Sequence, residues 1–444
     1  MFQALFNIFK IADLRKKVLV LFTLGFIVIY RIGAYIPTPG IDSANLAKFF
    51  DNIARTQGGT LFGIMNMFSG GAMRRLTIFA LGIMPYITAS IILQLLTAVF
   101  PNLEKLTKDP EGHKRLVQYT RQGTVILCLI QALFVSIWLE NPAHFGSLQI
   151  VQFPGWGFRL LTMLTLTTGT TFIMWLGEQI TERGIGNGIS LIITAGIISR
   201  LPAAVYQLSS LLYQRQISAL SLLLILSVAV VVVGAVVLIT QGQRKIPVQY
   251  ARRVVGRKIY GGQATYIPLR VNQAGVMPII FAQSIILFPA TIAGLTANPF
   301  IQSIARALTP GRLFYSLFYS LMIIFFTYFY TAISFNPKDI ADNMKRYGGF
   351  VPGIRPGRNT AEYFDYIMNR ITLPGAIFLA IIAIMPQIIY KGFKIPYLVA
   401  SFFGGTALLI VVGVLLDTMR QIESHLLMRH YEGFVSKGRI RGRR

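Results

Sequence analysis

The chain has 444 residues, of which 54% are hydrophobic and 13% are charged, and its mean hydropathy is +0.60. Because a soluble globular protein carries roughly 25% charged residues, this composition excludes an ordinary soluble domain and indicates a membrane protein. The 42 Lys and Arg against 16 Asp and Glu indicate loops that face anionic lipid, and the single cysteine excludes an intrachain disulfide.

The first apolar window, at about 18–36, follows the basic residues Arg15, Lys16 and Lys17. Its hydrophobicity continues to Ile36 without a small-residue cleavage site, so we expect a membrane span and no cleaved signal peptide. The next apolar stretch, in "GTLFGIMNMFSGGAM" (59–73), is different. Its part from Leu61 to Phe68 would form about two helical turns, roughly 12 Å, whereas a bilayer core is about 30 Å thick. Two glycines then supply a helix stop and a hinge.

Nine further windows are long enough to cross a bilayer, which gives ten predicted spans. They lie at about 76–100, 121–139, 158–178, 188–207, 217–240, 273–295, 315–335, 371–389 and 401–419. With the N-terminus inside, thirty of the 42 basic residues fall in cytoplasmic segments, so we expect both termini in the cytoplasm. Two of these segments, 241–272 and 336–370, are too long to be simple connectors.

The ten spans divide into two sets of five near residue 210. We predict an N-terminal half (1–210), a C-terminal half (211–432) and a basic cytoplasmic tail (433–444). Because each half has an odd number of spans, related halves would be inverted, an arrangement that leaves a pathway at their interface.

Sequence signatures of catalysis are absent. The chain has no GxxxxGK[ST], no HExxH and no pair of membrane-embedded aspartates, and His425 and His430 do not share a helix face. The ionisable residues of the spans, Arg31, Glu178 and Asp417, lie near span ends, which disfavours a pump or proton-coupled carrier. We therefore predict no enzyme activity, no cofactor and no metal site.

Isoleucine pairs mark single faces of two spans. Ile83 and Ile87 are separated by four residues, as are Ile189 and Ile193, but lipid contact or helix packing explains such spacing equally well. The polar residues Thr88, Gln94 and Asn272 in or beside apolar windows indicate either helix–helix hydrogen bonds or a water-filled cavity.

Six long strings resemble the SecY family of protein-translocation channels. They are "MNMFSGGAM", "FALGIMPYITASIILQLL", "WLGEQITERGIGNGIS", "VNQAGVMPIIFAQSIILFPATIA", "FNPKDIADNMKRYGGFVPGIRPG" and "FGGTALLIVVGVLLD". The similarity runs from Leu14 to about Glu432 in the family's order, and Pro374 departs from the expected pattern. It implies an all-α polytopic membrane protein, with ten helices in two inverted halves around a central pore.

The resemblance also implies functional positions. The short helix at about 60–73 would be a plug that enters the pore from outside, and branched apolar residues would form a ring that excludes water by dewetting. The second and seventh spans would form a lateral gate into lipid. The implied plug residues are Leu61, Phe62, Ile64, Met65, Met67, Phe68, Gly70 and Gly71; the ring residues are Ile83, Ile87, Ile189, Ile193, Ile280 and Ile410; the gate residues are Thr88, Gln94, Asn272 and Phe288.

The family further implies partners and a location. The two long basic loops would dock the ribosome or the SecA motor ATPase, SecE and SecG would be companion subunits, and signal peptides, nascent chains and lipids would contact the channel. The implied docking residues are Arg244, Lys245, Arg252, Arg253, Arg257, Lys258, Arg355 and Arg358. The expected location is the bacterial plasma (inner) membrane.

We therefore predict a passive protein-conducting channel. One alternative is a secondary transporter for small solutes, which needs polar substrate-binding groups at mid-membrane. A second is a scaffold or an intramembrane protease, the latter needing paired catalytic residues. The sequence shows neither signature.

Overall fold

The computed structural model describes residues 19–56, 66, 69–142, 145, 149–250, 253–255, 258–260, 264–293, 303, 307–308, 311–393, 395 and 397–437. The described residues group into two compact units. One contains those up to Leu208 together with those from Ile410 onward, and the other contains those from Ser209 to Leu409. The division into halves at residue 210 stays a prediction.

Helices dominate the chain up to residue 213. They are α1 (Leu19–Gly33), α2 (Ser43–Thr56), α3 (Ala72–Arg75), α4 (Met84–Val99), α5 (Pro101–Lys108), α6 (Pro110–Glu140), α7 (Trp156–Arg183), α8 (Gly188–Ile198) and α9 (Leu201–Tyr213). Pro85, Pro101 and Pro110 lie in the first turns of α4, α5 and α6, where a missing N–H costs little. Asn187 caps α8 by accepting a hydrogen bond from the backbone N–H of Ser190.

Helices and short strands alternate in the rest of the chain. The elements are α10 (Ala219–Gln241), β1 (Gln243–Tyr250), β2 (Arg253–Val255), β3 (Lys258–Tyr260), β4 (Ala264–Arg270), α11 (Met277–Ala293), α12 (Leu313–Ser334), α13 (Pro337–Arg346), β5 (Gly349–Phe350), α14 (Arg358–Phe393), α15 (Tyr397–Gly404) and α16 (Thr406–Lys437). Ser218 caps α10 by accepting from the N–H of Ser221.

Seven helical segments among the described residues are long and apolar enough to cross a membrane. They are Glu111–Glu140, Trp156–Arg183, Gly188–Tyr213, Ala219–Gln241, Leu313–Arg346, Arg358–Gly392 and Val399–Ser424. Met84–Val99 with Pro101–Thr107 forms an eighth if this pair, bent by 104°, is one span, and shorter apolar helices occur at Phe22–Gly33 and Met277–Ile286. Each of the ten predicted windows thus contains an apolar helix, and the prediction of a helical polytopic membrane protein is confirmed.

The long loops also contain short strands, which the sequence analysis did not predict. In the sheet, β1 lies between β4 and β5 and is antiparallel to both, with Ile246 opposite Ile267. Ile246 and Val248 alternate with exposed residues and are buried, and they pack with Phe364 of α14. Window searches for membrane spans miss this period-two pattern because it covers only a few residues.

Helices α6 and α7 form an antiparallel hairpin, and an ion pair joins them at each of its ends. Arg121 pairs with Glu178 at 2.8 Å, and Arg159 pairs with Glu140 at 2.6 Å. Glu140 is the more buried carboxylate, with 9% of its side chain exposed, and it also accepts from the N–H of Gly155 at 2.9 Å. The second pair therefore fixes the start of α7 as well as its packing.

We expect Arg159→Ala to lower the free energy of unfolding by about 1.5–3 kcal/mol, because the partly buried Glu140 carboxylate loses a hydrogen-bonded counter-ion but keeps its bond from the Gly155 N–H. Arg121→Ala is the matched control and should cost about 1 kcal/mol or less, since Arg121 is 46% exposed. Chemical unfolding of the purified protein in detergent measures both values. Equal losses of unfolding free energy for the two variants would contradict a larger structural role for the Arg159–Glu140 pair.

Candidate functional site

The predicted plug lies largely outside the described residues. Only Gly70 and Gly71 among its predicted residues are described; Leu61, Phe62, Ile64, Met65, Met67 and Phe68 are not. Both glycines have left-handed backbones, with φ of 65° and 92°, a conformation that glycine adopts without steric cost. The N–H of Gly71 donates to the carbonyl of Asn66 at 2.9 Å, and the N–H of Met73 donates to Ser69 Oγ at 3.2 Å. This turn ends the predicted plug segment and leads into α3.

Two side chains of α1 reach this turn. Arg31 Nη1 donates to the carbonyl oxygen of Gly70 at 3.1 Å, and the Tyr30 hydroxyl donates to that of Ser69 at 3.5 Å. The backbone of α8 also touches the turn, because a Cβ on Gly70 would lie 3.0 Å from the Cα of Gly196. Sequence reasoning noted Arg31 as an ionisable residue at a span end but did not connect it to the plug.

The six predicted ring isoleucines lie on four helices or their caps. Ile83 is the N-cap residue of α4, and its backbone carbonyl accepts a hydrogen bond from the N–H of Ile87 at 3.1 Å. The two side chains are therefore one helical turn apart. Ile83, Ile87, Ile193, Ile280 and Ile410 are all buried. Ile189 is partly exposed and packs on α7, where a Cβ on Gly177 would lie 3.1 Å from its Cγ1. All but Ile280 belong to the first unit. Their assembly into one ring stays a prediction.

The polar turn between α7 and α8 positions Ile189 and Ile193. Thr23 Oγ1 of α1 accepts from the N–H of Ile185 at 3.4 Å, and Thr181 Oγ1 accepts from the N–H of Gly188 at 2.9 Å. These bonds satisfy backbone groups at the helix start, so the string "GIGNG" is a structural element that orients α8.

The predicted gate residues have different surroundings. Thr88 Oγ1 donates to the carbonyl of Met84 at 3.0 Å and Gln94 Nε2 donates to Ser90 Oγ at 3.3 Å, both within α4. Asn272 is buried and donates to the carbonyl of Gly275 at 3.0 Å, but its Oδ1 has no hydrogen-bond partner among the described residues. The side chain of Phe288 lies outside the description. Hydrogen bonds within α4 therefore account for the polar side chains of Thr88 and Gln94.

Sequence reasoning missed Gln283 of α11. It is 3% exposed, and its Nε2 has no hydrogen-bond partner in the part of the chain that the structure describes. The available signal was an amide inside the apolar string "MPIIFAQSIILF". A buried amide with unmet bonding capacity is costly, which makes Gln283 and Asn272 the polar positions of interest near the seventh span.

The predicted docking residues lie on the folded loops where they are described. Arg244 and Lys245 of β1 are exposed, as are Arg355 and Arg358 before and at the start of α14. Arg253 and Lys258 lie in β2 and β3, while Arg252 and Arg257 are outside the described residues. The Thr360 hydroxyl donates to the backbone carbonyl of Arg355 at 2.9 Å. This hydrogen bond fixes the backbone that carries the exposed Arg355 guanidinium.

These features define a class: a polytopic helical membrane protein with a structured, strongly basic face. The SecY family model matches residues 77–419. Among similar proteins are the protein translocase subunits SecY of Thermotoga maritima (42% identical over 100% of both chains) and of Escherichia coli K12 (46% identical over 97% of this chain and 96% of the other). The chain belongs to the SecY family, which confirms the resemblance seen in its long strings.

Solved structures show the same fold at low identity. The structure of a protein-conducting channel matches with a TM-score of 0.64 and 17% identity over 91% of both chains. Sec61 in the canine ribosome–channel complex from the endoplasmic reticulum matches with a TM-score of 0.60 and 17% identity over 91% of both chains.

Proposed function

We propose that the chain is the pore-forming subunit of a protein-translocation channel in the bacterial plasma membrane. It passes unfolded preproteins across the membrane and releases transmembrane segments laterally into lipid. The observation that carries this proposal is the identity of 42% over full length to a protein translocase subunit SecY. Three of the strings that resemble the family, at 79–96, 271–293 and 403–417, lie in windows that contain apolar helices of the structure.

The proposed mechanism uses apolar surfaces, since the sequence has no nucleotide-binding motif. Branched apolar side chains offer no groups that could hold a passing peptide, and a constriction of such side chains resists ions by dewetting. The proposed ring consists of Ile83, Ile87, Ile189, Ile193, Ile280 and Ile410. The plug at about 60–73 completes the seal. Energy comes from the SecA ATPase or from the translating ribosome, and SecE and SecG are the proposed companion subunits.

The proposed lateral gate lies between the second and seventh spans. Its polar members contribute modestly, because hydrogen bonds between membrane helices average about 0.6 kcal/mol. Among the predicted gate residues, Asn272 has an unmet bonding capacity that suits a surface that opens and closes, and we add Gln283 of α11 to the proposed gate because it has the same property. An apolar signal sequence entering between the helices replaces weak polar contacts with apolar ones.

Transport assays separate this function from the transporter alternative. The purified chain with its companion subunits is reconstituted in liposomes, and we expect uptake of an unfolded preprotein that requires SecA and ATP. Concentrative uptake of a small solute without these factors would favour the secondary transporter instead.

Charge reversal at Arg355 tests the docking proposal. We expect Arg355→Glu to reduce motor-driven export at least about tenfold, because an acidic or phosphate-bearing partner meets repulsion in place of attraction. The protein level should be unchanged, since the side chain is exposed. Lys48→Glu on the exposed face of α2 is the control with the same charge change, and equal export defects in both variants would contradict a specific docking role.

A further inference from the structure

An exposed apolar stripe follows α1 to its C-terminal end and ends beside an aromatic ring. Val28, Ile32 and Ile36 are spaced by four residues, so they share one face, and all three are exposed. Tyr35 lies next to this stripe and is 58% exposed. Tyrosine is enriched where a membrane span leaves the hydrocarbon core, because its ring is apolar and its hydroxyl is polar. The stripe and Tyr35 together therefore fit the boundary between lipid chains and head groups.

Two guanidinium groups surround the ring of Tyr35. The guanidinium carbon of Arg31 lies 5.5 Å from the ring centroid, and that of Arg75 lies 5.0 Å from it. Arg31 also donates to the Tyr35 hydroxyl at 3.5 Å and to the Gly70 carbonyl at 3.1 Å. A guanidinium carries five N–H donors, so these bonds leave donors of Arg31 unused. All four residues belong to one compact unit.

Neither of these arginines has a carboxylate partner among the described residues. Arg75 is exposed, and its side chain makes no hydrogen bond within the part of the chain that the structure describes. Arg159 is different, because it lies over Trp156 at 5.2 Å but also pairs with Glu140 at 2.6 Å. The two positive charges beside Tyr35 repel each other, so an anion bound between them would be stabilised.

The chemistry of this site matches one kind of anion. Guanidinium groups bind phosphate through paired hydrogen bonds, and a phospholipid carries its phosphate directly beyond its acyl chains. The apolar stripe, the tyrosine and the two arginines follow one another in the same order. We propose that Arg31, Tyr35 and Arg75 bind the phosphate head group of an anionic phospholipid whose acyl chains lie along the stripe. With the N-terminus inside, as predicted, this lipid belongs to the outer leaflet. The inference goes beyond the proposed function and does not depend on it.

Photo-crosslinking to lipid in proteoliposomes tests the site. The channel with its companion subunits is reconstituted with phosphatidylglycerol that carries a diazirine in one acyl chain, and mass spectrometry maps the crosslinked residues. We expect crosslinks at Ile32 and Ile36. Arg75→Gln should lower their yield about fivefold, as expected for loss of one basic residue at an anionic lipid. Crosslinks at Val230 of α10, which is also exposed, should not change.

Further variants separate head-group binding from general charge. Arg75→Lys should keep part of the yield, because it retains the charge but loses the planar donor fork. Tyr35→Leu should lower the yield about threefold. Lys48→Gln removes one exposed positive charge from the same compact unit and should have no effect.

Three results would overturn the proposal. The first is an equal loss of yield in Arg75→Gln and Lys48→Gln. The second is equal crosslinking at Ile32 and Ile36 by a phosphatidylcholine with the same diazirine, because head-group charge would then play no part. The third is loss of these crosslinks in excess inorganic phosphate, which would assign the two arginines to a soluble anion. Transport is not measured, so each result is separate from a test of the proposed function.

Discussion

Gly169→Ala is expected to lower the free energy of unfolding by about 3 kcal/mol or more. A Cβ at Gly169 of α7 would lie 1.9 Å from the carbonyl oxygen of Ile78 and 2.8 Å from its carbonyl carbon. These are backbone atoms of a turn that is itself hydrogen-bonded to Ile36, so they cannot move aside as the end of a side chain can. Overpacking of this kind typically costs about 1–3 kcal/mol and sometimes more. Because the turn leads directly to Ile83, the same change should also disturb the start of α4.

Gly234→Ala in α10 is the matched control. A Cβ there would meet nothing within 4 Å, and alanine is favoured over glycine inside a helix by roughly 0.5–1 kcal/mol. We expect a neutral or slightly stabilising effect in the same unfolding measurement. Equal destabilisation by the two substitutions would show that α7 does not pack against the turn as described.

Ile410→Asn is expected to have the largest effect on gating. Ile410 of α16 is fully buried, and placing an amide in an apolar site costs roughly 1–3 kcal/mol in mutational data. If Ile410 lines the constriction, this cost falls on the closed state, because water wets the amide once the ring opens. We expect an ion leak at least about tenfold above that of the wild type, and export of preproteins with defective signal sequences.

Leu415→Asn on the same helix controls for the cost of an amide in a membrane span. Leu415 is 46% exposed, so its replacement should affect insertion or stability without loosening the seal. An Ile410→Asn channel with wild-type conductance and wild-type signal stringency would contradict the pore position of Ile410.

Hydropathy predicted the membrane helices well because a bilayer core demands about twenty apolar residues from every spanning helix. The windows at 18–36 and 273–295, for example, contain the helical stretches Phe22–Gly33 and Met277–Ile286. The strands of the loops were not predicted. Their pairing joins residues far apart in sequence, such as Gln249 with Phe350, and no local window reveals such partners.

The candidate site was also predicted only in part, because sequence patterns reveal local contacts but not contacts between distant segments. Spacing of four residues predicted that Ile83 and Ile87 share a face, and a backbone hydrogen bond joins them in the structure. The contact of Arg31 with Gly70 spans 39 residues and depends on close approach of glycines in two elements, which composition does not encode. Gln283 escaped notice because one amide barely changes the hydropathy of its window.

Photo-crosslinking of a translocating chain tests the central claim most directly. A preprotein with a tightly folded C-terminal domain is stalled during SecA-driven transport, and a photoreactive residue replaces Ile193 or, as control, Val230 of α10, which is 72% exposed. We predict ATP-dependent crosslinks from position 193 to the stalled polypeptide and none from position 230. Equal crosslinking from both positions, or none from position 193 in an active channel, would contradict a polypeptide pathway through the predicted ring.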